Sequence, residues 1–180
     1  MYIIIMDECF TILNRYNIQS YRVKSIEREK TLYTYSSVKS TRRYIASFDL
    51  DWTLTRPKGL FPKDSTDFYI LPNRIEFLEK LIKNKWTIVI FTNQLVGKRK
   101  YDDIISYLNN INKYFDKQGI NHILLASLRK DDYRKPEIGM WNHLVDYLGG
   151  NKLGFFVGDA VGREGDFSDS DKVFANNINK

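Results

Sequence analysis

The run Trp86-Thr-Ile-Val-Ile-Phe91 constrains the fold most. It is apolar without helical spacing, as a strand must be when a parallel sheet is covered on both faces. It ends at Thr92-Asn93-Gln94. Three comparable segments surround it: Tyr44, Ile45, Ala46 and Phe48; His122-Ile-Leu-Leu-Ala126; and Leu153-Gly-Phe-Phe-Val157. Between them apolar residues recur at helical spacing. The predicted buried faces are Ile75, Leu78, Leu81 and Ile82; Ile104, Leu108, Ile111 and Phe115; and Trp141, Leu144, Val145 and Leu148. Strands alternating with helices predict an α/β fold with a mainly parallel central sheet flanked by helices.

The rest of the chain supplies boundaries. Tyr2 to Met6 reads as a strand, residues 7–18 fit no single element, and Tyr21–Ile26 and Thr31–Ser36 alternate as strands do. Charged Glu27 to Lys30 reads as the turn between them. Residues 56–71 read as a flap, broken by Pro57, Gly59 and Pro62. Pro72 and Pro136 suit the first turns of helices, Gly149-Gly150 ends one, and residues 168–177 read as a closing helix. No repeat or linker divides the chain, and 180 residues suffice for one well-buried domain. We read a single domain over 1–180, with a strand-rich N-terminal extension at 1–43 and a core at 44–180. The intervals 54–91 and 93–134 are each consumed by a flap or loop, a helix and a strand, which leaves no room for a cap domain.

Composition narrows the chemistry. The net charge of +6 suggests an anionic partner, with nucleic acid first and a phosphorylated metabolite second. Cys9 is the single cysteine, and His122 and His143 are the only histidines. A metal is therefore expected to be hard and oxygen-bound, Mg²⁺ in preference to Zn²⁺. The apolar opening Met1–Met6 stops at Asp7-Glu8 and lacks a basic flank. It is too short for a signal peptide or a membrane span, so an intracellular soluble protein, cytoplasmic or nuclear, is expected.

Polar groups close the strands. Asp49 and Asp51 follow the first core strand, Thr92 and Asn93 the second, and Asp159 the fourth. In an open α/β sheet such ends form the ligand-binding edge, and Lys135 can reach it from its loop. Side chains two apart on an extended strand share a face. Two carboxylates so placed need a cation or a shared proton between them. Singly, each residue is ordinary: Lys135 reads as a surface lysine and Thr92 as a cap. Together they have the parts that phosphoryl transfer requires. Asp49 can attack phosphorus, and Asp51 can protonate the leaving oxygen and later deprotonate water. Thr92 and Lys135 can bind the phosphoryl oxygens. Asp49, Asp51 and Asp159 are the expected Mg²⁺ set, a backbone carbonyl supplying one of the ligands. Around them, Lys98-Arg99-Lys100 and Arg129-Lys130 lie on loops at the same edge, and Lys39, Arg42 and Arg43 precede the first core strand. Without a cap the pocket is open to large substrates, which favours a polymer end.

The order D-L-D-x-T, F-T-N, R-K-P, V-G-D resembles the haloacid dehalogenase superfamily of Asp-nucleophile phosphohydrolases. More closely, it resembles the 3′-phosphatase domain of polynucleotide kinase/phosphatase proteins. The residues that carry this are Phe48-Asp-Leu-Asp-Trp-Thr-Leu54, Phe61-Pro-Lys63, Phe91-Thr-Asn-Gln94, Tyr133-Arg-Lys-Pro136 with Gly139-Met-Trp141, and Phe156-Val-Gly-Asp-Ala160 with Gly162-Arg163 and Asp166-Phe-Ser168. The resemblance covers about residues 31–178, and residues 1–30 have no counterpart in it. It implies a haloacid dehalogenase-like Rossmannoid fold and Mg²⁺-dependent removal of 3′-phosphates from DNA ends in break repair. With it go the expected substrate contacts of Thr53, Asn93 and Arg134 and the catalytic roles of Asp49, Asp51, Thr92 and Lys135, while Lys98 and Arg99 are expected to hold the polymer because their loop leaves a strand end that forms the site. Trp52 stands where many relatives have Gly. The acid that supports Lys135 is Asp166 or Asp171. No G-x-x-x-x-G-K-[ST] string is present, so a separate 5′-kinase or a ligase is the expected partner. The alternatives are a small-molecule phosphomonoesterase of the same superfamily and a DNA-end-binding module without catalysis.

Overall fold

The structure, a computed structural model, describes residues 2–5, 26–28, 31–38, 44–97, 99–149 and 153–179. Its strands are β1 (Tyr2–Ile5), β2 (Ile26–Arg28), β3 (Leu32–Ser36), β4 (Tyr44–Phe48), β5 (Thr55–Arg56), β6 (Tyr69–Ile70), β7 (Trp86–Asn93), β8 (His122–Ser127) and β9 (Leu153–Gly158). Its helices are α1 (Arg74–Lys83), α2 (Tyr101–Lys117), α3 (Gly139–Leu148) and α4 (Ser170–Ile178). Seven strands form one sheet in the order β1-β9-β4-β7-β8-β3-β2. The middle four, β9, β4, β7 and β8, are parallel. On one edge β1 pairs antiparallel with β9, and on the other β3 and β2 continue antiparallel from β8.

Alternation along each core strand sends side chains to two cores. Ala46, Phe48, Ile88, Ile90, Leu124 and Ala126 face Leu78 of α1 and Ile104, Leu108, Ile111 and Phe115 of α2. Ile45, Val89, Phe91, Ile123 and Leu125 face Met140, Leu144 and Leu148 of α3 and Phe174 and Ala175 of α4. The predicted continuous apolar strand is thus apolar because both of its faces are covered. No helix among the described residues is long and apolar enough to cross a membrane.

Several local readings change. Ile26, read as the end of a strand, continues as strand through Glu27 and Arg28, where the charged residues predicted a turn, and the three pair with Thr34, Tyr33 and Leu32. β2 lies at the sheet margin, and edge strands carry charge as protection against further pairing. The flap contains a two-stranded hairpin, β5 with β6. Its loop is tied by the buried Asp67 carboxylate, which accepts the N–H groups of Lys58 (3.1 Å) and Lys63 (3.0 Å). Pro136 does not open α3; the helix starts at Gly139, after a turn in which the Lys135–Pro136 bond is cis. Met6, residues 7–25, Lys39, Arg42, Arg43 and Lys98 lie outside the described residues.

Candidate active site

The carboxyl ends of β4, β7 and β9 meet at one edge, and Lys135 arrives there from the β8–α3 loop. The loop is held close by Gly139, whose N–H donates to the Asp132 carbonyl (2.9 Å). A Cβ at Gly139 would stand 2.3 Å from that oxygen, so only glycine permits the approach. Asn93 then grips the Lys135 backbone from both sides. Its Oδ1 accepts the Lys135 N–H and its Nδ2 donates to the Lys135 carbonyl, both at 2.9 Å.

The Lys135 ammonium is buried, and its three donors are all used. Nζ donates to Asp49 Oδ1 (2.6 Å), to Asp171 Oδ1 (2.7 Å) and to the Phe91 carbonyl (2.9 Å). Burial alone would lower the pKa of Lys135, but Asp171 and Asp49 outweigh it and hold the group above its ordinary range. Asp171, not Asp166, is therefore the acid against Lys135. Its Oδ2 also accepts the Ala160 N–H (3.1 Å). It fits because position 158 is glycine: a Cβ there would lie 2.4 Å from Asp171 Oδ2. Asp166 instead pins its own loop, accepting from the Val161 and Arg163 N–H groups and pairing with the Arg163 side chain. Hydrogen bonding from Arg163 holds its carboxyl down to about 2.

Asp51 sits in different surroundings. Oδ1 accepts the Tyr107 hydroxyl (2.9 Å) and Oδ2 accepts Gln94 Nε2 (2.8 Å). The same Gln94 amide reaches Thr92 Oγ1 (3.0 Å), and Thr92 is buried. The Arg99 guanidinium lies over the Tyr107 ring at 4.8 Å. Burial raises the pKa of Asp51, and the two neutral donors moderate the rise. Neither Tyr107 nor a role for Gln94 was foreseen. The available signal was a hydroxyl on the apolar stripe of α2, three residues after Ile104 and four before Ile111, since a buried hydroxyl requires a partner.

The other expected residues divide. Thr53 is buried and donates from Oγ1 to Asp159 Oδ1 (3.3 Å), while Arg74 Nε holds the Thr53 carbonyl (2.8 Å). Arg134 donates to the Gln94 carbonyl (3.1 Å), so it braces the loop that carries Asp51's partner. Trp52, Thr53, Arg74, Gly158, Asp159 and Arg163 line a cleft of about 210 Å³.

Asp49, Asp159 and Asp171 each offer a carboxylate oxygen within 4.8 Å of the others. Burial raises the pKa of Asp49 well above its ordinary value despite Lys135, and Asp171 and Asp159 raise it further. Burial and then Asp171 raise that of Asp159. Three carboxylates against one ammonium leave the cluster short of positive charge, and all-oxygen donors suit a hard divalent cation. The residues thus fit Mg²⁺. The Asp51 carboxylate is not in this cluster, because both of its oxygens turn to Tyr107 and Gln94.

The fold is that of the haloacid dehalogenase-like phosphatases. It superposes on a crystal structure described as a HAD-like phosphatase from Mesorhizobium loti with a TM-score of 0.64, at 16% identity over 84% of this chain and 79% of that one. The sequence goes further: residues 44–180 match the family model for polynucleotide kinase 3 phosphatase, and the chain belongs to that family of phosphatases. It is 36% identical over 165 residues to an uncharacterised 20.8 kDa protein of Autographa californica nuclear polyhedrosis virus, covering 84% of this chain and 88% of that protein. It is 37% identical over 150 residues to the bifunctional polynucleotide phosphatase/kinase of Schizosaccharomyces pombe, covering 80% of this chain and 36% of that protein. The chain therefore spans little more than a third of the yeast relative.

Proposed function

We propose that this protein is a Mg²⁺-dependent polynucleotide 3′-phosphatase that prepares DNA ends for repair through an aspartyl-phosphate intermediate. The observation that carries the reading is the pairing of Asp49 with Lys135 beside a separately held Asp51, in a member of this family. Asp49 Oδ1 is occupied by the ammonium, which leaves Oδ2 to attack phosphorus. As the Asp49–phosphorus bond forms and the bond from phosphorus to the 3′-oxygen breaks, Asp51 gives its proton to that oxygen. Asp51 then takes a proton from water as the water attacks the acyl phosphate. Inorganic phosphate leaves and Asp49 is restored. The Thr92 hydroxyl would hold a phosphoryl oxygen, and Lys135, positioned through Asn93 and Asp171, would hold another by giving up one of its three present acceptors as the substrate enters. Asp49 and Asp159 would hold Mg²⁺, which when bound offsets carboxylate charge and polarises the phosphate.

Arg99, between β7 and α2, and Lys98 beside it in the sequence would bind the polymer's flanking phosphates. Phosphate release from a 3′-phosphorylated DNA oligonucleotide, a matched RNA and small sugar monoesters tests the reading. Turnover of the oligonucleotides is expected. Turnover confined to small monoesters would overturn it in favour of a metabolite phosphatase, and tight end binding without turnover in favour of a binding module.

A further inference from the structure

Trp52 is held at φ 66°, in the left-handed region that favours glycine. A bulky residue there costs on the order of 1–2 kcal/mol of backbone strain. The turn enforces the conformation: the Trp52 N–H donates to the Thr55 carbonyl, and Leu54 and Thr55 N–H groups both donate to the Leu50 carbonyl. The ring brings no compensating burial, since it remains 42% exposed. It follows Asp51 directly and lines the cleft that holds Asp159, Arg74 and Arg163. The Arg56 guanidinium stands 5.9 Å over the ring and 4.8 Å over that of Tyr69, which fixes the indole from the flap side. A strained backbone carrying an exposed, braced aromatic at the mouth of a site is strain kept where a ligand benefits.

We infer that Trp52 is the stacking platform for the terminal nucleobase of the substrate, so the protein reads a base-bearing 3′-end and not the phosphate alone. The inference rests on the polynucleotide reading above and narrows it. Every base offers a π-face, so the platform distinguishes a base from its absence without choosing among sequences. An end that has lost its terminal base forfeits the contact.

The test compares two DNA oligonucleotides that differ only at the 3′-phosphorylated terminal residue, one bearing its base and one abasic, in Mg²⁺. The readout is the ratio of their kcat/KM values, which a structural defect common to both substrates does not move. The wild-type ratio should be roughly tenfold in favour of the base, within what base–aromatic stacking contributes. Trp52→Gly suits φ 66° and should fold at least as well as the wild type, yet bring the ratio close to one. Trp52→Phe should restore part of it. An equal ratio in wild type and Trp52→Gly would overturn the inference alone. If neither substrate is hydrolysed, the functional reading fails instead, and binding decides this point. The base-bearing oligonucleotide should then quench a component of tryptophan emission that Trp52→Gly lacks, with Trp86 and Trp141 still present. Identical quenching in both proteins would sink it.

Discussion

Asp49 and Asp51 leave the same strand two residues apart, and the structure gives them opposite company. Asp49 stands among charges: one ammonium at 2.6 Å and two further carboxylates. Asp51 is held by a phenol and an amide, both neutral donors. Burial raises the pKa of both, so position alone does not assign their roles. The partners do. An ammonium and a hard-cation site favour the ionised carboxylate that a nucleophile must be. Neutral donors with no cation in contact leave a buried carboxyl able to hold and release a proton.

The comparison breaks most severely at Asp49. Asp49→Asn removes the group that forms the acyl phosphate, and uncatalysed monoester hydrolysis is so slow that acceleration can reach on the order of 10²¹-fold. Activity should fall to background. A wild-type rate in the purified variant would take the residue out of the mechanism. Asp51→Asn should lose about 10²- to 10⁴-fold, the usual worth of general acid–base catalysis. That loss should be larger for a DNA 3′-oxygen than for p-nitrophenolate, which leaves without a proton. Equal loss on both would make the two carboxylates alike after all.

Tyr107→Phe sharpens the comparison more gently. It keeps the buried ring under Arg99 and deletes only the hydroxyl that orients Asp51. A fall of roughly tenfold or less is expected, at about 0.5–1.5 kcal/mol for one hydrogen bond. It too should be selective for the poor leaving group. A fall shared by both substrates would mean that the hydroxyl serves the fold.

The smallest effect is thermal. Asp159→Asn removes one carboxylate from the crowded side and leaves the Asp51 side untouched. Mg²⁺ at a hundred times its Kd should stabilise the wild type by about 2.7 kcal/mol, or roughly 5–10 °C in Tm, and this increment should be absent from the variant. Without metal the order should reverse, because the variant lacks a mutually repelling charge. The sign with pH follows. Asp49, Asp51 and Asp159 titrate above their ordinary values, so the folded state holds more protons than the unfolded chain once pH exceeds about 4. Metal-free stability should therefore fall as pH rises through that window, less steeply in Asp159→Asn. Matching melting curves for both proteins, with and without Mg²⁺, would show that the cluster holds no cation.

The sequence made one half of this contrast legible. Asp49, Lys135 and Asp159 follow from strand ends and from the resemblance, because strand order in a parallel sheet tells which ends converge. Asp166 and Asp171 were equivalent on paper. The structure separates them through Gly158, whose missing side chain admits one carboxylate and whose role no periodicity reveals. The Asp51 half was hidden in α2, where Tyr107 reads as one more core aromatic. Asn93, expected at the substrate, instead uses both ends of its amide on the Lys135 backbone, a contact 42 residues long-range. The four core strands were readable because burial on both faces keeps them mainly apolar. Of β2 only Ile26 was, because Glu27 and Arg28 are charged.

The two margins of the sheet impose a timetable on biosynthesis. β1 pairs with β9 through partners such as Tyr2 and Gly158, so β1 leaves the ribosome long before its partner strand is made. At about 5–20 residues per second that interval is roughly 8–30 s. The other margin, β3 on β8, can close earlier, when residue 127 emerges. Vectorial folding thus finishes at the edge beside Asp159, and a nascent chain can assemble most of its core before the acid cluster is complete. A stalled chain that lacks β9 would display an unpaired edge of β4, a long-range pairing not yet formed and a template for association with other chains.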